Sequence, residues 1–126
     1  MGATALSAVC FRARSALAGE YGRCVWSVEG GMIGVLTHHW AKAEKIDEAR
    51  KLLDRNGEAQ SKATGFVSRH TLIALADPAK ITTLVVWTSN DIYDAWRASP
   101  QRAAAMIGAD QLWAKAPESE RFQIVS

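Results

Sequence analysis

Residues 66–89 read FVSRHTLIALADPAKITTLVVWTS, and this stretch decides the fold. Its two halves, FVSRHTLIAL (66–75) and ITTLVVWTS (81–89), are rich in β-branched and aromatic residues, which suit a pleated, half-buried surface. Asp77-Pro78 between them is a turn signal. So short a connection cannot hold the crossover that parallel strands require. The two strands therefore form an antiparallel hairpin.

Outward from the hairpin the periods change. MIGVLTHHWA alternates and reads as a first strand over 32–41. From Glu44 the spacing becomes 3.6: Ile46, Ala49, Leu53, Asn56 and Gln60 line one side with Leu52 beside them, and the charges lie mostly outside. Gly65 supplies a left-handed stop, while Gly57 weakens the helical pattern midway. Beyond the hairpin, Thr88-Ser89-Asn90-Asp91 offers N-caps for a helix through about Ala98 that carries Ile92, Tyr93 and Trp96. Ser99-Pro100 ends it and starts another, with Ser at N-cap and Pro at the first helical position, running to Ile107 before Gly108. RFQIV at 121–125 is a short last strand. The order β-α-β-β-α-β predicts the ferredoxin-like α+β class: a four-stranded antiparallel sheet in the order 4-1-3-2, helices on one face. The other face is left bare, which a small monomer rarely tolerates, so a homodimer through the open sheet face is expected.

Composition narrows the partners. The chain has 126 residues, 15 Lys+Arg against 13 Asp+Glu and a net charge of +2 with the signs mixed along it, so no concentrated basic face for nucleic acid is expected. No run of 18 apolar residues exists to cross a membrane. Five Trp against two Tyr and three Phe suggest a pocket for something flat, or a bulky core and interface. Cys10 and Cys24 have neither metal-ligand nor CxxC spacing and read as free thiols in a reducing, cytoplasmic setting. Residues 1–31, rich in Ala, Ser, Gly and Arg, lack a sustained period. They read as a poorly ordered extension before a domain over 32–126, with Met32 as the expected start.

Three stretches, MIGVLTHHWAK, GFVSRHTL and above all LVVWTSNDIYDAWRASPQ at 84–101, resemble the antibiotic biosynthesis monooxygenase family, small proteins with the dimeric α+β barrel fold. The resemblance covers about 32–126. It implies cofactor-independent oxygenation of polycyclic phenols, haem degradation, isomerisation of a signal molecule, or an activity not yet assigned, and fold analogy alone does not choose among these. Haem-degrading members carry an Asn on strand one, a Trp on the second helix and an axial His ten residues later. Trp96 fits the Trp, but His38 stands at the Asn position and Met106 at the axial one. A Met on an Ala-rich helix is more often core filling.

His38 and His39 are neighbours on a strand and point to opposite faces, so they cannot chelate one metal together. The family comparison places His38 in the pocket between sheet and helices and His39 on the face where a partner docks. A histidine in such a pocket can take a proton from a phenol or an activated C–H, or simply be a hydrogen-bonded structural residue. His70 lies two strands from strand one, about 10 Å away, too far for joint ligation. Arg69 points to the face opposite His70, where it holds an oxyanion or, more simply, sits in a surface ion pair. Trp96 is the aromatic that the family places in the pocket, and Trp87 is either core or pocket wall. Asn56 sits on the apolar side of the long helix, where its amide needs a partner. Tyr93 is either exposed or a donor to a substrate oxygen.

Taken with these residues, the resemblance implies one expectation: a homodimer that oxidises a small aromatic or quinol-type molecule with O2 and no cofactor. His38 and Asn56 are its catalytic groups, and Trp96, Trp87, Tyr93 and His70 line the substrate. The alternative is a non-catalytic barrel that binds a small hydrophobic ligand or haem.

Overall fold

The computed structural model describes residues 31–126, and the expectations for the extension and for Cys10 and Cys24 lie outside the described residues. Its elements are β1 (Ile33–Ala41), α1 (Ile46–Ser61), β2 (Phe66–Ile73), β3 (Lys80–Trp87), α2 (Asn90–Arg97), α3 (Pro100–Ala105) and β4 (Trp113–Gln123). The four strands form one sheet in the order β2-β3-β1-β4, every neighbouring pair antiparallel, which is the expected ferredoxin-like arrangement.

Local chemistry fixes the element ends. Gly65 takes φ +84° after α1, and Ile92 and Thr88 crowd the space a side chain would need there. Ser89 caps α2 by accepting from the Ile92 N–H at 3.2 Å, and Ser99 caps α3 by accepting from the Arg102 N–H at 3.2 Å. Gly57 does not interrupt α1, which runs unbroken past it. Helix α3 ends at Ala105, two residues short of the expected Ile107.

The last strand corrects the sequence reading. It begins at Trp113, not Arg121, and pairs with β1 over most of its length. WAKAPESERFQ is charged and lacks alternation because β4 is an exposed edge, held by backbone pairing more than by a buried face. Pro117 falls in the register shift between the His38–Glu118 and Trp40–Lys115 pairs, where an edge strand tolerates it.

Pairing and burial fix the two faces of the sheet. On β1 the odd residues Ile33, Val35, His39 and Ala41 are buried and look toward the helices. The core splits into two clusters. One holds Ala41, Leu52, Leu53, Ile81 and Leu112, and the other Ile33, Val35, Val85, Trp87 and Trp96. Between them on the helix side runs a rung of hydroxyls, Thr71–Thr83–Thr37–Ser119, one from each strand. The even residues Leu36, His38, Trp40, Leu84 and Val86, with Leu72 and Phe122 beside them, form the uncovered face.

Candidate active site

The histidine assignment reverses. His38 does not look between sheet and helices. It stands on the open face, where its Nδ1 is 2.8 Å from the Thr82 hydroxyl and its ring is 6.1 Å from that of Trp40. His39 takes the inner position at 6% exposure, its ring 5.1 Å from Trp113. The cause is parity: strand one buries its odd residues, and a one-residue change of parity exchanges the faces. His39 Nδ1 lies 3.0 Å from the Ile81 carbonyl, and since a carbonyl only accepts, the proton sits on Nδ1 and the neutral ring keeps its lone pair on Nε2. Burial, more than the neighbouring Arg69 and His38 charges, pushes His39 below the usual imidazole value of 6.5, against the opposing pull of the Ile81 carbonyl. His70 is exposed on the open face, opposite Leu84, and joins neither ring.

Arg69 is likewise not in a surface ion pair. Its side chain crosses under α1, donating from Nη1 to Gln60 Oε1 at 2.6 Å and from Nη2 to the Leu53 carbonyl at 2.8 Å. Desolvation pushes its pKa down, and Asp54 partly offsets this. Asn56 lies on the same helix, between the leucines of one core cluster and Ala59, which packs on the other. It is 7% exposed, and its Oδ1 is buried without a partner in the structure. A buried acceptor left unpaired costs about 1–3 kcal/mol, so Asn56 sits there at a cost to stability.

The three aromatic candidates do come together. Trp87 is fully buried, stacked on Trp96 at 5.9 Å and 28°, with Tyr93 at 5.8 Å and Phe66 edge-on at 5.9 Å. Arg121 covers the Tyr93 ring at 4.7 Å and ties α2 to β4 through Asp94 at 2.8 Å and Asn90 at 2.7 Å. Of the six residues singled out in the sequence, Trp96 is the one that lines the cleft between α1 and the α2–α3 pair. This cleft has a volume of about 800 Å³, within the range of small-molecule sites. Its floor is alanine, and its remaining walls include Ile92, Ser99, Arg55 and Lys62. In the sequence Arg55 reads as one of the outward charges of α1, because the stripe it shares with Lys62 adjoins the sheet-facing stripe and resembles solvated surface. The spacing of Arg55, Ala59 and Lys62 along one stripe was the available signal.

The residues do not suit a haem. No imidazole, thiolate or thioether lines the cleft, and Met106 packs against the Ala41–Leu112 cluster instead. Among the described residues no group of three His, Cys, Asp or Glu side chains is placed to hold a metal ion, and no helix is long and apolar enough to cross a membrane.

A family model described as antibiotic biosynthesis monooxygenase matches residues 32–106. No functionally curated protein matches the sequence. Among solved structures, the chain is similar to SnoaB, a cofactor-independent oxygenase from Streptomyces nogalater, at 16% identity and TM-score 0.69, over 76% of this chain and 95% of that one. A conserved protein from Methanosarcina mazei Go1 matches at 20% identity and TM-score 0.69, over 75% and 94% of the two chains. Rv0793 from Mycobacterium tuberculosis matches at 14% identity and TM-score 0.69, over 76% and 97%. At these identities the likeness is one of fold.

Proposed function

The chain belongs to the antibiotic biosynthesis monooxygenase family, and from that premise we propose that it oxygenates a small aromatic or quinol-type molecule with O2, without metal or flavin. The observation that carries the reading is the cleft beside Trp96, a flat wall made rigid by the Trp87–Tyr93–Phe66 stack behind it. Such a wall holds a planar ring at little entropic cost.

The chemistry asks the protein for a base and for polar groups near the developing oxyanion. Among the described histidines His39 alone lies on the helix side of the sheet, the side that carries the cleft. It does not line the cleft, so it is a hydrogen-bonded core residue and not the base for a ring held beside Trp96, whose proton leaves to water. The donors that line the cleft and can serve the oxyanion are the Thr64, Ser99 and Gln101 side chains, whereas Asn56, expected in that role, does not line it. In the overall step a substrate CH2 becomes C=O, one oxygen atom enters the product and the other leaves as water. The four electrons all come from substrate, so no external reductant enters.

The working unit is a homodimer. Leu36, Trp40, Leu84, Val86, Leu72 and Phe122 share a face that no helix covers, and a second copy of this sheet is the occupant that suits it.

The test is an oxygen electrode reading with a three-ring hydroxyanthrone and chelator-treated protein. Uptake above the spontaneous rate, one O2 per quinone formed, lowered in Trp96→Ala but kept in His38→Gln, is the expected result. Uptake no faster than the spontaneous rate overturns the reading.

A further inference from the structure

The cleft beside Trp96 is lined mostly by alanines, Ile92 and the indole, with Thr64, Ser99 and Gln101 as neutral polar groups and Arg55 and Lys62 as its charges. Arg55 on α1 and Lys62 at its C-cap both line it, seven residues and so about 10.5 Å apart along the helix axis on a single stripe. No carboxylate lines the cleft. Glu58, between them in sequence, is exposed and does not line it. Among the described residues neither cation has a carboxylate within 4.0 Å, and the ion pairs formed are Lys45–Glu48 and Arg121–Asp94.

Arg55 is also held in place. Its Nε donates to the Ala105 carbonyl at 3.1 Å and its Nη2 to the Ile107 carbonyl at 3.1 Å. Two bonds to carbonyls two residues apart, at and just beyond the end of α3, fix the plane of the guanidinium. They leave the two N–H groups of Nη1 unspent. Arg55 is exposed, and this fixed cation sits beside a largely apolar cleft that is lined by an indole.

We propose that the cleft takes an aromatic carboxylate: the ring system lies against Trp96 and the alanine floor, and the carboxylate meets Arg55 Nη1 with Lys62 as the second positive charge. Because Arg55 is oriented before binding, its contact selects for an anion at a fixed distance from the ring, and Lys62, a mobile point charge, adds attraction without geometry. The volume of about 800 Å³ admits two or three fused rings with one such substituent. This inference rests on the reading of the cleft as the substrate site.

The experiment is calorimetric titration of the full chain with 1-hydroxy-2-naphthoate and with its neutral methyl ester, at low and high salt. The acid is expected to bind at least tenfold more tightly, with the advantage shrinking as salt rises. Lys62→Gln should weaken the acid by threefold or more and leave the ester unchanged. Arg55→Lys, which keeps the charge but loses the fork, should weaken the acid further, with the melting temperature recorded to separate loosening of α3 from loss of the contact. Equal affinity for acid and ester, or a preference for the ester, overturns the carboxylate inference and leaves the cleft as a neutral aromatic site. Binding of neither overturns the cleft reading itself and this inference with it.

Discussion

Gly57 on α1 and Arg69 on β2 compete for one volume: a Cβ at position 57 would meet the Arg69 Cδ at 2.8 Å. In most exposed helices Gly→Ala stabilises by about 1 kcal/mol through helix propensity. Here the added methyl must displace an arginine held by Gln60 and the Leu53 carbonyl. Losing those charge-assisted bonds outweighs the propensity gain, so Gly57→Ala should destabilise by about 1–2 kcal/mol in urea unfolding. In an Arg69→Ala background the same substitution should become stabilising. An equal effect in both backgrounds would show that the two residues do not couple.

His39 makes stability depend on pH. Its folded pKa lies below the ordinary 6.5, so the unfolded chain binds the proton more readily. The contribution is therefore complete above about pH 6.5 and is lost as pH falls through the depressed folded value. Urea midpoints should drop between pH 7.5 and pH 5.5. His39→Gln, whose amide N–H can still reach the Ile81 carbonyl, should flatten that part of the profile. A wild-type profile that stays level over this range would contradict the buried neutral ring.

How much of this was legible in the sequence depends on what each feature required. The hairpin, the strand order and the caps at Ser89 and Ser99 follow from local patterns, and all stand in the structure. The facing of β1 does not, because both of its stripes are largely apolar: Ile33, Val35 and Ala41 serve the core, and Leu36 and Trp40 serve the open face. With no polar stripe to mark solvent, alternation fixes the period but not the parity, and His38 and His39 exchange places. Strand β4 escaped for the opposite reason, since its residues carry an edge's charges and no inward pattern. The cleft joins residues of α1, α2 and α3 whose meeting depends on tertiary packing, so only Trp96, carried by a family motif, could be placed beforehand.

Trp87 offers a test of the aromatic stack. It is fully buried and its Nε1 has no partner in the structure. Trp87→Phe removes that unpaired N–H, which relieves about 1–3 kcal/mol of desolvation cost, while the smaller ring opens a gap. The two effects oppose, and the net loss should be about 1 kcal/mol, well short of the ~3–5 kcal/mol typical of Trp→Ala in a core. Guanidinium unfolding measures it. A loss above about 3 kcal/mol would mean that the gap left by the indole outweighs the relief of its unpaired N–H.

The open sheet face carries the last prediction. Leu84 sits at its middle, paired with Leu36 on one side and His70 on the other. Charged groups gather toward one end of this face: Lys115 lies 3.9 Å and Lys80 5.8 Å from the Trp40 ring, and Glu118 pairs with His38. An apolar centre with a charged margin is how protein interfaces are built. A lysine at position 84 would place an unpaired charge in the dry centre of the proposed dimer, a cost of several kcal/mol in association, yet would lie in water in the monomer. Wild-type protein should therefore sediment near twice 13.7 kDa at micromolar concentration. Leu84→Lys should sediment near 13.7 kDa with an unchanged circular dichroism spectrum. The marginal substitution Lys80→Gln should leave the assembly intact. A monomeric wild type, or a Leu84→Lys variant that still pairs, would show that a second copy does not cover this face.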